Sequence, residues 1–176
     1  EVAALANESG YAQDTDLAAS CSINISDIAK AVDNAFKSEH KTTFKSTTNT
    51  FTAGVAVIGS VADTAKDTTK NAKFSTDFAA SVLVDGKVVA SILDSAEISL
   101  NNITDDGAAE YTYAGTKREQ GDNYDKNDQM KAGEWYVQAD AYALAANGKT
   151  ATDIDTLAAD GVAGCTIYAG GYKQVI

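Results

Sequence analysis

Residues 81–94, SVLVDGKVVASILD, constrain this chain more than any other stretch. Two β-branched runs flank Asp85-Gly86, and Asp-Gly readily takes the positive φ angles of a two-residue hairpin turn. A β-hairpin over 78–100 follows, and the rest of the chain has to be built around it. Proline is absent altogether, so Gly, Asn and Asp must punctuate the other elements.

Residues 43–59 are rich in Thr, Val and Phe and read as a strand, bent or bulged at Gly54. Residues 26–36, SDIAKAVDNAF, place Ile28, Ala31, Val32 and Ala35 at helical spacing, with Ser26 or Asp27 as N-cap. Residues 60–76 are polar and fit no single period. A turn and a short strand are expected over 101–115, and TKREQGDNYDKNDQMKAG (116–133) reads as an exposed, charged loop. After it, residues 133–147 carry Trp135, Ala139, Tyr142, Ala143 and Ala146 on one stripe, which predicts a helix stopped by Gly148. Residues 150–165 read as a connection, and the last residues as a short strand or turn entering a helix. Strands and helices are mixed without βαβ alternation, so the expected fold class is α+β with a mainly antiparallel sheet.

The final stretch, DGVAGCTIYAGGYKQVI (160–176), has a counterpart in DLAASCSINISDIAKAV (16–32). A single offset of 144 pairs Asp16 with Asp160, Cys21 with Cys165 and Ile23 with Ile167. Two accounts fit: chance similarity between Ala-rich stretches, or tandem duplication of a domain's closing segment. A spacing of this size is a domain's length, not a solenoid's. On the second account, residues 1–38 are the C-terminal tail of a preceding similar unit, strand plus helix, and 39–176 a complete unit.

The net charge of −11 opposes binding to nucleic acid or an anionic membrane surface. No run reaches the roughly 20 apolar residues of a membrane span. The chain starts at Glu1 without Met, as a processed or excised piece would, so any contact with a membrane is expected only through a removed anchor. Two cysteines without CxxC spacing support neither a disulfide scaffold nor a zinc site, and Cys21 and Cys165 are expected to be buried and unreactive. The single histidine, His40, lies in a polar linker, which leaves no partner for a His-based triad or metal site. Asp122, Asp125 and Asp128 lack the order of a calcium-binding EF-hand and have Lys126 and Lys131 beside them. No phosphate-binding, nucleophile-elbow or zinc-protease motif is present, so intrinsic catalysis is not expected. Tyr136, at the start of the Trp-bearing helix, is a candidate for stacking on a flat ligand, whereas Trp135 is expected in the core.

Asp160, Gly164 and Thr166 match the C-terminal signature of the FMN-binding domain family, which reads roughly Asp-x-x-Ser/Thr-Gly-Ala-Thr. Ala163 and Cys165 depart from it. The hairpin with its Asp85-Gly86-Lys87 turn and GKTATDID (148–155) also resemble family elements. The family includes the flavin-carrying subunits of the Rnf and Nqr electron-transport complexes. Residues 116–150 further resemble uncharacterised surface or lipoprotein-like proteins of gut Firmicutes. The resemblance implies an extracytoplasmic, secreted or membrane-anchored module carrying FMN for electron transfer to a redox partner. A flavin transferase would esterify FMN to Thr166, with Asp160 aiding recognition and Gly164 admitting the phosphate. The alternative is a structural or ligand-binding surface module without flavin.

Overall fold

The computed structural model describes residues 5–37, 52–63, 71–124 and 132–176. Two compact units result, residues 1–41 and 42–176. His40, the first part of the expected strand over 43–59, Asp125, Asp128, Lys126 and Lys131 lie outside the described residues.

The larger unit is α+β. Strands β1 (Thr52–Asp63), β2 (Ala72–Val84), β3 (Lys87–Asn101) and β4 (Glu110–Thr112) form an antiparallel sheet in that spatial order. The β2–β3 turn is the expected one, with Asp85 at φ 51° and Gly86 at φ 71°. Its strands run well beyond 78–100, because Ser75, Thr76 and their neighbours, polar as they are, pair on both sides.

Gly54 is not a bulge. It pairs with Ser81 in an unbroken β1–β2 register. The irregularity falls beside the hairpin turn, where Val82 pairs with Ala90 and Leu83 with Val88, leaving Val89 as the extra residue. A bulge of this kind shifts the in–out alternation by one. Val88 is thereby turned to the helix side, against Ala146 and Ile154.

Helix α4 (Trp135–Ala146) buries Trp135, Gln138, Ala139, Tyr142, Ala143 and Ala146, a stripe at helical spacing. It packs along β3, and the short α6 (Tyr172–Val175) packs across β1 and β2. Ala79, Leu93, Val162, Cys165, Ile167, Tyr172 and Val175 complete this core. Between them, α5 (Ala151–Asp155) starts at a capping box formed by Thr150 and Asp153.

The charged segment at 116 is not an exposed loop in its first part. Thr116 and Glu119 form a capping box that opens α3 (Lys117–Gln120), and Arg118 is buried on it. The guanidinium Nε donates to the Leu93 carbonyl and Nη2 to Asp140, while the Arg118 amide donates to Asp94 Oδ1 at 3.1 Å. A buried cation is tolerated only with such partners.

The sheet has a second apolar face. Val55 and Val57 alternate with the core-facing Ala56 and Ile58 and are 77% and 65% exposed. With Ala80, Val82, Ala90 and Ile92, Val55 lines an open groove of about 290 Å³.

The smaller unit holds α1 (Thr15–Ser20), capped by Asp14, and α2 (Ser26–Lys37). The expected strand is reduced among the described residues to one bridge, Ala6 with Ala12. Helix α2 begins at Ser26 itself, whose amide donates to Asn24 Oδ1 at 3.0 Å, so neither Ser26 nor Asp27 precedes it as a cap. Ala29, not the Ile28–Val32 stripe, is its buried residue. At the offset of 144, Ile167 and Tyr172 are buried, whereas Ile23 and Ile28 are 59% and 54% exposed. Similar residues meet different fates because no sheet is present among the described residues of the smaller unit to receive them.

Leu93→Ala should destabilise the larger unit by about 2–5 kcal/mol, since it empties a fully buried site. Gly86→Val should cost roughly 1–2 kcal/mol by forcing a β-branched residue to positive φ. Urea unfolding of both variants checks the order; a costlier Gly86→Val would contradict this account of the core.

Candidate functional site

Gln138 is fully buried in the middle of the apolar stripe of α4. Its amide has found partners on both sides. Nε2 donates to the Gly133 carbonyl at 2.7 Å, and Oε1 accepts from the Thr166 amide at 2.7 Å and from the Thr166 hydroxyl at 2.9 Å. A buried amide left without partners would cost about 1–3 kcal/mol, so this arrangement fixes the loop as firmly as it satisfies the helix.

The loop bends at Ile167, and its side chains alternate in burial. Cys165, Ile167 and Ala169 point into the core, while Thr166 and Tyr168 are exposed. Gly164 has φ 77°, and a Cβ built there would meet nothing within 4 Å. The glycine is therefore demanded by backbone conformation, and the space beside it is open. Asp160 is exposed in a short 3-10 turn, Ala159–Gly161, at the start of the loop. Asp160, Gly164 and Thr166 thus share one surface loop.

Tyr136 does not join them. It stands two residues before Gln138, about 200° around the helix at 3.6 residues per turn. Its hydroxyl donates to Asp122 Oδ1 at 3.0 Å, and that carboxylate raises the phenol's pKa. Trp135 is buried, as expected, with Tyr172 tilted against it at 6.0 Å between ring centroids.

Beside Trp135 lies a cluster of charged and aromatic side chains. Lys117 Nζ sits 5.0 Å from the Tyr124 ring centroid and 5.4 Å from that of Trp135. Glu97 takes Lys73 at 2.7 Å and Lys117 at 3.2 Å. Burial by itself would lower the Lys117 pKa, but the hydrogen bond to Tyr124 and the Glu97 carboxylate outweigh it and raise it. Burial would likewise raise Glu97, yet the two lysines hold it below the usual carboxylate value.

Cys165 is buried, and burial pushes its thiol pKa up, so it packs as a small apolar residue and is not activated. No group of three or more metal-ligating side chains occurs among the described residues. No helix of the described residues is long and apolar enough to cross a membrane. Scans of protein-family models, curated proteins and solved structures each return no match to this chain.

Three residues here escaped the sequence reading. Arg118 was signalled by the Thr116–Glu119 capping-box spacing, which marks a helix start. Gln138 stands at i+3 from Trp135, a polar residue on a core stripe. Tyr168 follows from the period-two pattern Cys-Thr-Ile-Tyr-Ala, which puts it on the side of Thr166.

Two outcomes follow for this region. Gln138→Leu should cost about 1–3 kcal/mol, because it strands the donors of Thr166; an unchanged unfolding midpoint would contradict the anchor. The depressed Glu97 contributes stability that is present above its ordinary value of 4.5 and lost as pH falls through its lower folded value. Acid unfolding curves should show that loss between these two values, and Glu97→Gln should remove this component while costing about 1 kcal/mol at neutral pH.

Proposed function

We propose that residues 42–176 form an extracytoplasmic flavin-carrier module, with FMN esterified to Thr166 and electrons passed to a redox partner. The observation that carries this reading is the Thr166 anchor: an exposed residue whose amide and hydroxyl are both tied to the buried Gln138 oxygen. An attachment residue must be reachable by a second enzyme yet ordered enough to present one oxygen, and Thr166 meets both demands. The residues fit the group in two further ways. Gly164, two residues before Thr166, leaves its own side of the loop open for a phosphate, and Asp160 is exposed on the same loop for recognition by a transferase.

Esterification needs an activated donor, since a free phosphate would have to expel hydroxide. Thr166 Oγ1 attacks the flavin-side phosphorus of a flavin dinucleotide, the P–O–P bond breaks, and the nucleoside monophosphate leaves with the bonding pair. The hydroxyl proton passes to a base of the transferase, because the Gln138 amide oxygen can accept a hydrogen bond but is not basic enough to take a proton. Once attached, the isoalloxazine supplies reversible electron transfer, and the protein supplies position and electrostatics. The departures from the family signature differ in burial. Cys165 occupies the core, and Ala163 is exposed at the turn.

A second reading, a docking module without flavin, rests on the uncovered sheet face around Val55 and Val57. Exposed apolar area of this kind marks interaction surfaces in soluble proteins. The two are separated by intact mass and visible absorbance after co-expression with a flavin transferase. The carrier reading expects one FMN adduct, lost in Thr166→Ala and kept in Thr166→Ser. A colourless chain of unmodified mass would leave the docking module.

A further inference from the structure

Tyr168 is 86% exposed, the most exposed large apolar or aromatic side chain of the described residues. Exposure alone is unremarkable, but this ring is seated. It folds back over Gly170, where a Cβ would overlap Tyr168 Oη, Cζ and Cε1. Gly170 does not have a positive φ, so its lack of a side chain serves the ring and not the backbone. The hydroxyl end of the ring is thereby laid against the glycine, and the rest of the ring stays exposed.

The alternating burial of residues 165–169 leaves Tyr168 and Thr166 both on the outer side of the loop. Two residues of chain separate their Cα atoms by at most about 7 Å, and the bend at Ile167 shortens this. The ribityl–phosphate tether of FMN exceeds that distance, so a flavin held on Thr166 Oγ1 can return its ring to the tyrosine. Aromatic rings stack in offset or tilted geometry when one face of each is free. The flank toward the core is filled by Cys165, Ile167 and Ala169, which leaves the outer side of the loop for the ligand.

We propose that Tyr168, seated on Gly170, is the stacking platform for an isoalloxazine attached at Thr166. The proposal rests on the carrier reading and adds a positioning residue to it. An electron-rich phenol against the ring disfavours the anionic reduced flavin, so it also sets the potential lower than that of an unstacked flavin.

The test uses the full chain co-expressed with a flavin transferase, as four proteins: unsubstituted, Tyr168→Ala, Tyr168→Phe and Gly170→Ala. Intact mass reports attachment, and flavin fluorescence, visible circular dichroism and potential report stacking. All four should carry the adduct. Tyr168→Ala should fluoresce severalfold more, lose the flavin dichroism and shift to a higher potential. Gly170→Ala should do the same with its tyrosine intact, because the added methyl unseats the ring. Tyr168→Phe should keep the dichroism. Adducts in all four with indistinguishable fluorescence and dichroism would overturn the platform while leaving the carrier. Absence of an adduct on the unsubstituted chain would remove both.

Discussion

The close seat of α4 on β3 is the constraint from which the rest of the larger unit follows. Ala139, Ala143 and Ala146 on the helix and Ala79 on the sheet are small enough to let backbone approach backbone, while Trp135, Tyr142 and Leu93 fill the flanks. Interiors packed to crystal-like density transmit such constraints, because a displaced side chain has nowhere to go. With α4 held in this way, Gln138 arrives at a fixed depth, and the loop at 160–169 has to thread past it. The Tyr142 hydroxyl adds a second tie, donating to the Leu157 carbonyl at 3.0 Å, and burial raises that phenol's pKa to about 12.

The chemistry of the candidate site therefore depends on burial at one remove. Thr166 is not activated by a neighbouring base; it is held still by an amide that water cannot reach. That suits a residue acted upon by another enzyme better than one performing catalysis itself. The carrier proposal and the Tyr168 platform share this logic. Both place the ligand outside the core, on a loop whose inner side chains are already committed.

How far the sequence could be read differs from element to element, for physical reasons. The Asp85-Gly86 turn was legible because only a few residue pairs tolerate two successive positive φ angles. The α4 stripe was legible because its period matches a helix. The length of β2 was not, since Ser75 and Thr76 are chosen by neither period and are drawn into the sheet by their partners. A bend or bulge is expected at Gly54 on composition, yet the irregularity lies at Val82/Leu83 next to the hairpin turn, where Val88 has to reach Ala146. Of the proposed ligand residues, Asp160, Gly164 and Thr166 fall on one loop, while Tyr136 is directed to Asp122. Its stacking role depended on which side of α4 faces the loop, and that is fixed by the sheet.

The backbone pairing at the far end of α4 has a mechanical meaning. The Gly148 amide donates to the Val88 carbonyl at 2.7 Å, and the Val88 amide donates to the Lys149 carbonyl at 3.0 Å. Nearer its middle, α4 is tied to α3 by Arg118, which donates to Asp140, and to the closing loop by Gln138, which accepts from Thr166. A helix tied in this way to three separate segments cannot slide along its axis without breaking several bonds at once.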